Sequence, residues 1–170
     1  ENQMLPLHKQ ENNGFVIHLL HLYKLILSYL LEHNQFALEN GNQCKKYVSS
    51  ATGSITVPLV YFYHSLCRLA LYPQLNNSQQ KRLLKKLSEN QERMKHWAAH
   101  APMNYRHKYL LVEAELARVL KKTYKAIEHY EQAIEGAKKN GYIQEEALAN
   151  ELFAKFWLKR NDIKIAQLYM

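Results

Sequence analysis

The chain has 170 residues, 47% of them hydrophobic, with 23 Lys or Arg against 15 Asp or Glu and a formal charge of +8. That length is enough for one domain with a packed core. Only five Gly and four Pro punctuate a chain rich in Leu, Ala, Lys, Glu and Gln, which excludes collagen-like and β-rich classes and points to an all-α chain.

Residues 1–13 are polar and irregular. Gly14 opens an apolar periodic run through Phe15, Leu19, Leu22, Tyr23, Ile26, Leu27 and Leu30, which predicts one broad helical face. His18, His21, Lys24 and Ser28 interrupt Phe15 to Leu31, so this run is too polar for a membrane span. Asn34 is a cap for a second helix through Ala37, Leu38, Cys44 and Tyr47. Pro58 fits the first turn of a third, Leu59 to Tyr72, apolar almost all round and therefore central. Pro73 and Asn76-Asn77 separate it from a long fourth helix, Ser78 to about His100, with Leu84, Leu87, Met94 and Trp97 inward. Pro102 breaks that helix. A fifth runs from about Asn104 to Leu120, with Tyr109, Val112, Leu116 and Val119 on one side. A sixth runs from Tyr124 to Lys139 and ends at Asn140-Gly141, a C-cap signal. The seventh is Ile143 to Lys159, and Asn161-Asp162 turns into an eighth that stops at Met170 while still periodic.

The sixth helix carries the most specific pattern. Ala126 and Ala133 lie seven apart with Tyr130 between them. Small–large–small on one face lets a neighbouring helix approach while the aromatic ring fills the gap, as a tetratricopeptide hairpin requires. Ala147-Leu148-Ala149 to Phe153-Ala154-Lys155-Phe156-Trp157-Leu158 begins a second such hairpin, with Trp157 expected as its buried large residue. The predicted architecture is a right-handed α-solenoid of about four antiparallel hairpins, the last truncated. It forms a single domain over 14–170, and both the open last hairpin and the initial Glu1 read as a piece of a longer protein.

Further segments strengthen this reading. His96-Trp97-Ala98-Ala99-His100-Ala101-Pro102-Met103-Asn104-Tyr105 leads into His107-Lys108-Tyr109-Leu110-Leu111-Val112-Glu113-Ala114-Glu115. Later come Gly141-Tyr142-Ile143-Gln144-Glu145-Glu146-Ala147-Leu148-Ala149-Asn150-Glu151 and Ala166-Gln167-Leu168-Tyr169-Met170. These segments resemble the tetratricopeptide-like helical region of large, chiefly cyanobacterial, multidomain signalling kinases. In that family a serine/threonine kinase domain and a STAND/AAA ATPase precede the helical region, and a GAF sensor domain and a histidine kinase follow it. The resemblance is strongest from Leu83 to Met170. It implies a cytoplasmic module of a signal-transduction protein, and it brings no catalytic residue to this chain.

Chemistry-bearing motifs are few. No Gly-rich phosphate loop followed by Lys and Ser or Thr is present, and Asp162 is the only Asp. The chain is therefore expected not to be an enzyme and to need no cofactor. Cys44 and Cys67 have no metal-type spacing, which fits a reducing compartment. His96, His100 and His107 offer two imidazoles four apart and a third beyond Pro102, a constellation to weigh for zinc against simple packing at a helix corner. His18 with His21, and His64 near Arg68, are weaker pairs. Packing is preferred throughout, so no metal site is assigned.

The candidate site is a partner-binding groove. Equating Ala126 with Ala166 places Lys108, Leu111, Glu115 and Arg118 on the inner face of one hairpin, with Leu148, Glu151, Lys155 and Lys159 as their counterparts in the next. Such a mixed-charge face suits a peptide or an adjacent domain. The expected function is a non-catalytic interaction scaffold that couples neighbouring ATPase and sensor or histidine kinase domains. The alternatives are a basic nucleic-acid-binding helical domain, supported by net charge alone, and a metal-dependent enzyme built on the His96, His100, His107 cluster.

Overall fold

The computed structural model describes residues 13–170, so the sequence expectation for residues 1–12 lies outside the described residues. Eight α-helices and three short 3-10 turns, with no strand, make up the described residues. They are α1 (Gly14–Leu30), α2 (Asn34–Lys46), α3 (Thr56–Leu71), α4 (Asn77–His100), α5 (Pro102–Val119), α6 (Thr123–Lys139), α7 (Ile143–Leu158) and α8 (Ile163–Ala166). None of these helices is long and apolar enough to cross a membrane. The described residues fall into two compact units, 13–90 and 91–170, with the boundary inside α4.

In the first unit α1, α2 and α3 pack against one another. The Asn13 side chain accepts from the Val16 amide (3.3 Å) and starts α1. Of the apolar run expected to face inward on α1, only Leu22 is fully buried. Ile17, Leu22, Leu25 and Tyr29 are buried, together with His18 and Ser28, while Phe15, Tyr23, Leu27 and Leu30 are exposed. α1 is apolar on more than one face, and the buried one is the face on which His18 finds partners. His18 meets Thr56 Oγ1 (3.1 Å) and takes a thiol contact from Cys44, whose own Sγ–H donates to the His18 carbonyl (3.3 Å). Burial pushes the Cys44 thiol up to about 12, so it stays protonated. α3 is central, as its composition requires: every residue from 60 to 69 is buried. Asn76 and Gln79 form a reciprocal capping box at the start of α4, each side chain accepting from the other's amide at 3.0 Å.

In the second unit each of α5, α6 and α7 packs against the helix that follows it, and α5 also touches α7. The three connections share one geometry. Lys121, Gly141 and Asn161 adopt positive φ of 59°, 74° and 61°. The next amide closes a six-residue loop in each case: Lys122 to the Ala117 carbonyl, Tyr142 to Ala137, and Asp162 to Trp157. These are Schellman C-caps, which satisfy carbonyls left open at a helix end and turn the chain into the following helix. The end of α1 uses the same cap, with Glu32 at φ 60° and His33 bonded to the Ser28 carbonyl.

The interior of the second unit carries the small–large–small pattern. Ala126, Tyr130, Ala133 and Ala137 are all at most 1% exposed, at steps of four, three and four along α6. Tyr130 stacks on Phe153 (4.8 Å between centroids) and meets Phe156 edge-on (5.6 Å). Phe153 and Phe156 hold the buried large-residue positions of α7, in place of the expected Trp157. Trp157 lies half-buried beside both rings, because one step along a helix rotates a side chain by about 100° off the buried stripe. Similarly, α5 buries Leu110, Leu111, Val112, Ala114 and Ala117, so of the expected Tyr109, Val112, Leu116 and Val119 face only Val112 is fully inside. α8 is four residues long and continues as a 3-10 turn, Gln167–Tyr169.

Candidate functional site

The eight residues expected to line the groove separate into an interior set and an accessible set. Lys108, Leu111, Glu115 and Leu148 are buried, at 3%, 1%, 3% and 5% exposure. The Arg118 side chain retains 16%, and Glu151, Lys155 and Lys159 reach solvent. The α5 half of the predicted groove is therefore not an open face. Its charged residues tie helices together.

Lys108 shows how. Its ammonium donates to Glu145 Oε1 (2.9 Å) at the start of α7 and to the Asn104 carbonyl (3.3 Å). It also reaches His107 Nε2 (2.9 Å) and lies over the Tyr142 ring (4.0 Å). Burial lowers the Lys108 pKa, and the Glu145 carboxylate opposes that shift. The same burial, reinforced by Lys108, holds His107 down at about 3. His107 is thus neutral, with Nε2 accepting the ammonium proton. Two turns of helix or more further on, Arg118 donates twice to Glu115, Nε to Oε1 (2.9 Å) and Nη2 to Oε2 (2.6 Å), and the Tyr130 hydroxyl donates to Glu115 as well. A buried carboxylate with this many donors is satisfied, and breaking the set leaves a charge without compensation.

On α7, Glu151 and Lys155 form an i,i+4 ion pair at 2.5 Å on a half-exposed face. They border a cleft of about 580 Å³ with Ala147, Asn150, Ala154 and Leu158, closed on the other side by Leu168, Tyr169 and Met170. Leu168 and Met170 are 77% and 79% exposed, so the cleft has an apolar lip beside a charged wall. A second cleft of about 400 Å³ lies between the first turns of α5 and the last turns of α6, lined by Met103, Arg106, His107, Glu135 and Lys139 among others. Gly136 belongs to its wall. A Cβ there would stand 3.3 Å from His107 Cβ, so glycine permits the close approach of α5 and α6.

The three histidines weighed for zinc occupy different settings. His96 and His100 are exposed with rings 4.3 Å apart, and His100 Nδ1 bonds to the His96 carbonyl (2.9 Å). His107 is buried against Tyr142, with ring centroids 4.4 Å apart. Among the described residues no group of three His, Cys, Asp or Glu is placed to hold a metal ion. Asp162, the only Asp, caps α8 by accepting from the Ile165 amide (3.1 Å). Sequence reasoning missed the Lys108–Glu145 pair and the Glu115–Tyr130 contact, because each joins residues on two different helices and neither leaves a periodic signal.

No protein-family model matches the chain, and no curated protein or solved structure proves similar to it.

Proposed function

We propose that the chain is a non-catalytic helical interaction module whose second unit holds a peptide or a neighbouring domain in the cleft between α7 and the C-terminal turn. The observation that carries this reading is the pairing, on one accessible face, of a charged wall, Glu151 and Lys155, with an apolar lip, Leu158, Leu168 and Met170. Apolar anchors supply affinity and a charged rim supplies register in helix-and-groove recognition. A right-handed solenoid of hairpins is the architecture this reading favours, supported by the three like-shaped connections and the Ala126–Tyr130–Ala133 stripe. The resemblance to the helical region of multidomain signalling kinases nominates the partners: flanking ATPase, GAF or histidine kinase domains in a cytoplasmic protein.

The test selects binders from a displayed library of extended peptides with acidic and apolar positions, then measures the affinity of the best by titration calorimetry. Lys155→Glu with Lys159→Glu should weaken binding at least about tenfold, the effect of removing a hydrogen bond to a charged group. The melting temperature should stay put, since exposed charges contribute little to folding. Binding that ignores the double reversal rejects the cleft. Tight binding of generic duplex DNA with a steep salt dependence would favour the nucleic-acid reading instead.

A further inference from the structure

α1 turns apolar residues to solvent, the reverse of α4. Residues 77–90 of α4 expose only polar and charged side chains. In α1 the exposed residues are Phe15, Tyr23, Leu27 and Leu30, at 42%, 60%, 60% and 49%, and Leu31 follows at 66%. His18 and Ser28, by contrast, lie inside. Charge is nearly absent from the helix, where Lys24 is the one Lys or Arg and no Asp or Glu occurs. Single exposed apolar residues are ordinary, but a continuous row of them marks a contact surface.

The spacing of the row says what fits it. Val16, Leu20, Tyr23, Leu27 and Leu30 follow one another at steps of four, three, four and three. That 3.5-residue repeat is the seam along which two helices interdigitate at a shallow crossing angle. Val16 and Leu20 are partly exposed, so the whole seam reaches solvent. At about 100° per residue, the buried Ile17, Leu22, Leu25 and Tyr29 stand on the opposite side. α1 can therefore keep its packing on α2 and α3 while a further helix lies along the seam.

Area and charge choose the occupant. At these exposures the row offers on the order of 600 Å² per copy, so two copies would bury on the order of 1,200 Å², the lower bound of a specific interface. The seam bears no charge, so a second copy presenting the same residues meets no like charge across a two-fold axis. A charged partner would find nothing there to pair with. Lipid fits less well, because helices that lie on a membrane surface carry several Lys or Arg, whereas α1 has Lys24 alone.

We propose that two copies of this chain associate by packing α1 on α1 across a two-fold axis. The assignment does not depend on the cleft in the second unit.

Sedimentation equilibrium of the full chain is the test. The mass should rise from one chain to two as concentration increases and stop there, since a two-fold contact closes. Leu27→Glu puts a carboxylate from each copy into the seam and should weaken the dimer at least about a hundredfold. Helicity should be retained, because Leu27 is exposed in the single chain. Leu30→Glu, at the last position of α1, decides the matter where Leu27→Glu does not fold. Tyr124→Glu is the control: Tyr124 is 89% exposed in the second unit, and its replacement should leave the dimer intact. A monomer at every concentration overturns the proposal. So do assembly beyond two chains, a dimer that both α1 variants leave unchanged, and a dimer that Tyr124→Glu weakens as much as they do. Cosedimentation with phosphatidylcholine vesicles that Leu27→Glu abolishes, in the absence of a dimer, assigns the face to lipid and overturns it as well.

Discussion

The first unit buries Arg68 beside a neutral histidine, whereas the second buries Lys108 against Glu145 and Glu115 against Arg118 and Tyr130. Helix for helix the two units use the same material, and one even finds the same Schellman cap at the end of α1 as at the ends of α5, α6 and α7. They differ in how interior charge is answered. In the second unit Glu145 and Tyr130 answer from other helices and Arg118 from the same one, so the charges join helices and act as framework. In the first, Arg68 stands 3.4 Å from a neutral His64, and its Nε has no hydrogen-bond partner among the described residues. Buried charge by itself therefore says little about function; its state of pairing says more.

The comparison can be broken most directly at the aromatic interior of the second unit. Phe156→Ala should destabilise the chain by about 3–5 kcal/mol, since Phe156 is fully buried among Tyr130, Phe153 and Trp157. Trp157→Ala should cost clearly less, because that ring is half-buried. Urea unfolding of both variants checks this, and equal losses would return Trp157 to the core position.

Acid sharpens the contrast between neutral and charged interiors. His64 and His107 are held at about 2 and about 3, by burial first and neighbouring cations second. In the unfolded chain each protonates near its ordinary value of 6.5, while the folded chain keeps it neutral. The unfolded state then binds more protons, so stability is complete above about pH 6.5 and falls as pH drops below it, toward about 3 for His107 and about 2 for His64. Each histidine should contribute a slope of up to about 1.4 kcal/mol per pH unit within its window. Unfolding midpoints at pH 7, 6 and 5 measure this, and a flat profile would mean that neither ring is shielded.

The smallest expected effects lie at the shared caps. Gly141→Ala should cost about 1 kcal/mol, because its φ of 74° suits glycine and penalises a Cβ. Lys121→Gly at φ 59° should go the other way and stabilise by a few tenths to about 1 kcal/mol. Opposite signs in thermal melts would confirm that the two joints share one geometry.

Much of this fold is legible in the sequence wherever the signal is local. Pro102, Asn140-Gly141 and Asp162 each mark a helix boundary, because capping involves residues within one turn of each other, whereas Asn34, expected as a cap, is the first residue of α2 and its Oδ1 has no partner among the described residues. The stripe of Ala126, Tyr130 and Ala133 is legible for the same reason. Lys121 and Glu32 at positive φ are not, since neither residue type signals that conformation. The groove is legible only in part. Lys108 and Lys155 are both expected to line the groove, yet one is buried and the other half-exposed. What separates them is Glu145, on another helix at the start of α7, which no periodicity along α5 can announce. The His64–Arg68 contact leaves a faint signal: the two stand four apart on a helix otherwise apolar almost all round.

The three alike joints of the second unit also govern the speed of its assembly. Each brings together helices that follow one another directly, so the chain need close only a few residues before apolar surfaces meet, and the entropy lost in doing so is small. Contacts of low sequence separation form early and quickly. Any one of the three joints can start the process and hand a preformed face to the next helix. As it emerges during synthesis, α7 therefore finds its docking surface on α6 already built.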